Sequence, residues 1–183
     1  MSLLGYFRAQ FLCDFCIPNF SIMARENVKM EEFVRKVSAL WREQKKRESL
    51  YLEALKKDEL GPLRRMLSQG HFSAVLFQKE IREIYDYFKC FLTDKDLVEL
   101  NAPDSENLVM MQQMKENNQV VGLLKKNEGV IIHSYKSLFK YLERESEARK
   151  ILDNHLDRIS EFYEILSRLE VSAPKNLTYN FRS

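Results

Sequence analysis

Proline is rare in this chain of 183 residues, and its four positions limit the length of every regular segment that can form. They are Pro18, Pro62, Pro103 and Pro174. Proline breaks the interior of a helix but is tolerated in the first turn or beyond the end. With only five glycines as well, the chain lacks the turn residues of sandwiches and barrels. The stretches between the prolines are rich in Leu, Glu, Lys and Arg, which favour helices, so the sequence predicts an all-α protein.

Apolar residues at helical spacing predict four long helices. Their predicted ranges are residues 27–57, 62–94, 118–142 and 147–171. On the first helix, Phe33, Val37 and Trp41 mark the apolar face. Each helix would span roughly 25–30 residues, which corresponds to a length of about 40 Å.

The connections between these helices predict how they are arranged. Only a few residues separate the first helix from the second and the third from the fourth, which forces two antiparallel hairpins. The middle connection, residues 95–117, is long enough to travel along a bundle and has a helix-start signal after Pro103. The predicted fold is therefore a four-helix up-down-down-up bundle over residues 27–172, with one long crossover between the second and third helices.

The two ends of the chain are predicted to lie outside the bundle. Residues 1–26 are interpreted as an N-terminal extension, either without fixed structure or the result of a start assigned too far upstream. An apolar docking arm for a partner subunit is the alternative. Arg8 and Asp14 interrupt the apolar run, which argues against a signal peptide or a membrane span. Residues 173–183 are predicted to be a C-terminal tail.

Charge and cysteine content argue against several classes of function. A net charge of +2, from 29 basic and 27 acidic residues, does not provide the basic surface typical of nucleic-acid binding. Three cysteines, an odd number, argue against a secreted disulfide framework. The pair formed by Cys13 and Cys16 lacks the second pair that a zinc site needs. The sequence therefore predicts a cytoplasmic protein with no nucleic-acid partner and no membrane association.

Four polar residues are predicted to share one layer of the bundle core. The series 33, 37, 41 on the first helix, continued, brings Glu48 inward, about nine residues before the turn. His71 lies about nine residues after the start of the second helix, and the same spacing brings Glu128 and Tyr163 to that level. Such groups need partners when buried, so the layer is predicted either to hold a metal ion or to be closed by hydrogen bonds. His155, about two turns away, is predicted to be a core histidine with no inward carboxylate near it.

The predicted layer resembles the di-iron centre of the ferritin-like superfamily, and the resemblance covers about residues 27–172. Di-iron members place a Glu on each of two helices and a Glu-x-x-His motif on each of the other two. Glu48 and Glu128 stand where the single carboxylates belong. One motif keeps its histidine as His71 but has Ser68 in place of its Glu, and the other, ending at Tyr163, has lost both ligands. The two hairpins also resemble those of an uncharacterised bacterial branch of that superfamily.

Three functions remain open from the sequence. The first is a non-catalytic ferritin-like protein with a degenerate di-iron site, related to stress or storage, which forms homo-oligomers through exposed faces or through Met110, Met111 and Met114. The second is a metal-binding or redox protein in which Glu48, His71 and Glu128 hold a single Fe, Mn or Zn ion. The third is a helical adaptor that binds another protein. No catalytic residue is predicted, and that metal ion is the only cofactor considered.

Overall fold

The computed structural model describes residues 20–92, 106–114 and 116–172. Within these ranges the regular structure is entirely helical, which confirms the prediction of an all-α protein. Five α-helices are described: α1 (Phe20–Leu55), α2 (Arg64–Lys89), α3 (Glu106–Gln113), α4 (Asn117–Leu138) and α5 (Glu147–Ser172). Two 3₁₀ segments, Asp58–Leu63 and Phe139–Tyr141, follow α1 and α4. Among the described helices, none is long and apolar enough to cross a membrane.

The observed helix bounds differ from the predicted ones most at the start of α1, and by fewer residues at the two ends of α2 and at the end of α4. Helix α1 begins at Phe20, before the predicted start at residue 27. Pro62 does not open α2 but lies inside the 3₁₀ segment that precedes it. The rest of the predicted extension, including Cys13 and Cys16, and the predicted tail at 173–183 lie outside the described residues.

One series of buried residues on each of the four long helices alternates in spacing between four and three residues. A spacing that averages 3.5 residues keeps one stripe of each helix facing its neighbours along the whole length of the contact. The positions in this series are 33, 37, 40, 44, 47, 51 and 54 on α1; 67, 70, 74, 77, 81 and 84 on α2; 121, 124, 128, 131, 135 and 138 on α4; and 148, 152, 155, 159, 162 and 166 on α5. Further buried residues, among them Val34, Leu50 and Asn127, flank the series on α1, α2 and α4.

Helix α1 is in contact with three of the other four helices. It packs against α2, α3 and α4, while α4 packs against α5, and the contact between α2 and α5 is small. Phe33 of α1 meets Phe88 near the end of α2 with ring centroids 4.7 Å apart, whereas Tyr51 lies against Gly70 near its start. These two contacts make α1 and α2 antiparallel. Helices α1 and α4 are antiparallel by the same criterion, since Gln44 reaches Tyr135 and Tyr51 reaches Glu128.

The crossover between α2 and α4 contributes a short helix to the core. Met111 of α3 is fully buried beside Leu50 and Leu60, whereas Met110 is half exposed. The Lys57 ammonium group also donates a hydrogen bond to the Met114 carbonyl oxygen at 2.6 Å. Two of the three methionines predicted to support self-association, Met111 and Met114, therefore pack within the chain itself.

Gly70 provides a direct test of the packing between α1 and α2. A Cβ atom at this position would overlap the ring of Tyr51, so we expect Gly70→Ala to reduce the free energy of unfolding by about 1–3 kcal/mol, measured by urea denaturation. The matched control is Gly122→Ala on α4, where the new Cβ would meet only the Glu170 carboxylate at 3.4 Å. Because alanine favours a helix by about 1 kcal/mol over glycine, that variant should be at least as stable as the parent. Equal effects of the two substitutions would contradict this packing.

Candidate functional site

A layer of polar side chains divides the hydrophobic core into two clusters. One cluster contains Phe33, Leu40, Phe77 and Ile81, and the other contains Leu50, Leu67, Leu124 and Leu166. We call the polar side chains between and beside them the buried polar layer. Its members are Gln44, Arg47, Tyr51, Ser73, Gln78, Glu128, Tyr135 and His155.

The centre of the buried polar layer is an ion pair between α1 and α4. Both side chains, Arg47 and Glu128, are completely inaccessible to solvent. The Nε–H of Arg47 donates to both carboxylate oxygens of Glu128, at 2.8 and 3.1 Å. Its Nη1 atom donates to the Ser73 hydroxyl oxygen at 3.0 Å, and that hydroxyl donates to the Gly70 carbonyl oxygen. One guanidinium group thus connects α1 to both α2 and α4.

Aromatic rings complete the surroundings of Arg47. The guanidinium carbon lies 5.2 Å from the ring centroids of both Tyr51 and Phe162, and 5.9 Å from that of Phe77. Its Nη2 atom has no hydrogen-bond partner among the described residues, so these ring faces are its main compensation. Burial is the largest influence on the pKa of Arg47 and lowers it, but the charge and hydrogen bonds of Glu128, together with Tyr51 and Tyr135, outweigh burial, and the pKa is raised. The residue is a permanent cation.

Tyr51 provides the third hydrogen bond to the carboxylate of Glu128. Its hydroxyl group donates to Oε1 at 2.6 Å. Burial, and then the negative charge of Glu128, raise the pKa of Tyr51 well above its ordinary value. The phenol is therefore a permanent donor, and it can come this close to α2 only because Gly70 lacks a side chain.

A second chain of hydrogen bonds runs from the core to the surface through His155. Gln44 Nε2 donates to the Tyr135 oxygen at 3.0 Å, and that hydroxyl lies 3.0 Å from His155 Nδ1. His155 Nε2 lies 2.6 Å from the Glu80 carboxylate. All three bonds are satisfied when the imidazole is neutral with its proton on Nε2, because Nδ1 then accepts from Tyr135.

The environment of His155 keeps it in that neutral form. Burial is the largest cause of its lowered pKa, and the positive charge of Arg47 acts in the same direction against the opposing effect of Glu80. The imidazole also stacks on Phe77 with centroids 3.9 Å apart. The prediction of a satisfied core histidine is confirmed, but the absence of a nearby carboxylate is wrong, because α2 brings Glu80 to the ring.

Glu48 and His71 lie together but at the edge of the buried polar layer. The Glu48 carboxylate accepts from Lys45 at 2.8 Å and from Gln78 at 2.9 Å, and its side chain is 20% exposed. Burial would raise the pKa of Glu48, but these hydrogen bonds outweigh it and the pKa lies below the ordinary value. His71 Nδ1 lies 3.4 Å from the backbone oxygen of Glu48, not from its carboxylate.

The other two predicted members of the layer, Glu128 and Tyr163, lie in different environments. Glu128 occupies its centre, as described above. Tyr163 lies outside it, because its ring packs over Gly129 at the outer seam between α4 and α5, where a Cβ at Gly129 would be 3.4 Å away. The adjacent Phe162 faces inward instead and is 1% exposed. The helical offset of about 100° between neighbours separates the two side chains.

The carboxylates predicted to hold a metal ion are already engaged by other side chains. Arg47 engages both oxygens of Glu128, and Lys45 and Gln78 engage the carboxylate of Glu48. Within the described ranges, no group of three or more His, Cys, Asp or Glu side chains is placed so that it could hold a metal ion. Metal binding by Glu48, His71 and Glu128 stays a prediction.

Comparisons with protein-family models, curated proteins and solved structures found no match to this chain. The ferritin-like resemblance therefore depends on the residues themselves, and it stays a prediction.

Removal of either member of the ion pair should strongly destabilise the fold. We expect Arg47→Met and Glu128→Leu each to lower the free energy of unfolding by about 3–5 kcal/mol, because each leaves the other charge buried and unpaired. The double variant removes both charges and should lose far less than the sum of the two single losses. The measurement is a double-mutant cycle by urea denaturation. Additive losses would show that the two charges are not coupled.

The neutral state of His155 predicts a loss of stability in acid. The pKa of His155 is lowered in the folded protein, while in the unfolded chain it is about 6.5. As the pH falls, the unfolded state therefore binds the proton first. The contribution of neutral His155 to the free energy of unfolding is complete above the unfolded pKa and declines below it, by at most about 1.4 kcal/mol per pH unit. Thermal melts between pH 8 and pH 5 should show a smaller slope for His155→Gln than for the parent. An unchanged slope would exclude His155 as the source.

Proposed function

We propose that this chain is a non-catalytic helical protein of ferritin-like arrangement, in which an internal ion pair occupies the place of a metal centre. The observation that supports this most directly is the engagement of both Glu128 oxygens by Arg47 Nε–H. In the di-iron proteins that the sequence resembles, metal ions compensate the buried carboxylates. Here the guanidinium group of Arg47 provides that positive charge from within the chain.

The side-chain contacts support an up-down-down-up arrangement of α1, α2, α4 and α5. Helices α2 and α4 both run antiparallel to α1, and Tyr135 and Lys125 of α4 meet His155 and Glu170 of α5 in antiparallel order. Two hairpins joined by a long crossover are the arrangement of ferritin-like bundles. We propose this topology for residues 27–172.

A protein of this kind would act through its surface, either with further copies of itself or as an adaptor for another protein. Several large apolar side chains are well exposed, with Phe72 the most exposed of them at 71%. Phe72, Val75 and Leu76 lie within about one turn of each other on α2, and a contiguous exposed apolar group favours interaction over solvation. A role related to stress or storage, which the resemblance implies, also belongs to this proposal.

Metal content tests the proposal against its alternative, a mononuclear metal protein. Untagged protein from cells supplied with iron, manganese and zinc should contain far less than one metal ion per chain by elemental mass spectrometry, because the carboxylate of Glu128 is already paired. Glu128→Gln and His71→Ala should leave that content unchanged. About one metal ion per chain, lost in both variants, would contradict the proposal and establish the mononuclear site. The matched control is Glu161→Gln at an exposed position. It should leave the metal content per chain unchanged, whether or not the protein binds a metal ion.

A further inference from the structure

Helix α2 has a second stripe with the same spacing as its buried one, but facing solvent. The stripe, which we call the outer stripe, consists of residues with exposed side chains at intervals of four, three, four, three and four: Arg65, Gln69, Phe72, Leu76, Lys79 and Glu83. Its two central members, Phe72 and Leu76, are apolar and are 71% and 45% exposed. Apolar residues at the centre of such a stripe are suited to pack against another helix, while the polar residues beyond them can set its orientation.

The outer stripe borders the seam between α2 and α5. Contact between α2 and α5 is small, and a groove of about 420 Å³ opens between them. Phe72, Leu76 and Phe77 line the groove from α2, and Arg158 lines it from α5. Ile165, seven residues after Arg158, falls on the same side of α5 and is 40% exposed. The apolar surface therefore extends from the outer stripe across the seam.

The outer stripe is complementary to a second, antiparallel copy of itself. When two copies of α2 are aligned antiparallel about position 74, Phe72 pairs with Leu76, Gln69 with Lys79, and Arg65 with Glu83. Ala74 is the midpoint of all three pairs. We propose that α2 docks antiparallel against α2 of a second copy of this chain, across a two-fold axis that passes near Ala74, with Phe72 of each copy against Leu76 of the other.

Charge selects this antiparallel arrangement over a parallel one. In a parallel pair each residue would meet its own copy, which would place arginine on arginine at 65 and glutamate on glutamate at 83. In the antiparallel pair Arg65 meets Glu83 of the second copy, and the symmetry provides this contact twice. Within the described residues neither of these two side chains takes part in an ion pair, although the adjacent Arg64 and Arg82 do. Opposite charges placed across an interface favour one orientation and disfavour the other.

Analytical ultracentrifugation of the full chain over a range of concentrations tests this interface. The parent should show a reversible monomer–dimer equilibrium. Leu76→Glu should raise its dissociation constant at least about a hundredfold, because an apolar contact at the centre of the interface is replaced twice by a charge. Val130→Glu on α4 is the matched control, since Val130 is also 45% exposed, and it should leave the constant unchanged. Thermal melts should show that both variants remain folded.

A charge exchange tests the antiparallel pairing itself. Arg65→Glu should raise the dissociation constant about tenfold, since it sets like charges opposite each other at two places. The double variant Arg65→Glu, Glu83→Arg should return to within about threefold of the parent value. A protein that stays monomeric at high concentration, a dimer insensitive to Leu76→Glu, or a double variant that is not rescued would each overturn the proposal. These outcomes are independent of metal content, because only exposed side chains are involved.

Discussion

The ion pair between Arg47 and Glu128 is the constraint on which the rest of the structure depends. Two fully buried charges lose their hydration when the chain folds, and only a close and well-oriented contact can compensate that loss. This requirement sets the register of α1 against α4, and the bond from Arg47 to Ser73 extends it to α2. The hydrogen-bonded chain through His155 adds α5 to the same layer. Polar contacts thus fix the register of all four long helices at two neighbouring levels, one at the ion pair and one at His155.

Most of the fold could be predicted because it depends on local signals. The prolines, the rarity of glycine and the apolar stripes define four long helices to within a few residues in most places, and the short connections define their pairing. Pro62 did not mark the start of α2, because a proline is equally acceptable in a 3₁₀ turn before the helix. The start of α1 at Phe20 was missed and was predicted at residue 27, although Asn19, directly before it in the sequence, is a residue type that favours the N-cap.

The site was predicted less well, and the reason is the difference between two helical periods. Continuing the positions 33, 37 and 41 selects Glu48, whereas the observed alternation 33, 37, 40, 44 selects Arg47. Glu128 lies on the stripe under either period and was identified correctly. Tyr163 was not, because one position separates it from the inward Phe162. The alternation of four and three residues on all four helices was the sequence signal that could have identified Arg47, but a buried arginine has no apolar character to suggest it.

We propose that the Arg47 guanidinium group, and not a metal ion, compensates the charge of Glu128. The most direct test is the Arg47 Nε–H signal in a proton–nitrogen NMR spectrum, assigned with Arg47→Met. We expect a resolved signal that exchanges slowly with water, because the group is buried and bonded to Glu128, and that is unchanged by one equivalent of Zn²⁺ or by a chelator. A signal that is absent from the metal-free protein, or that shifts or broadens with stoichiometric metal, would contradict the claim.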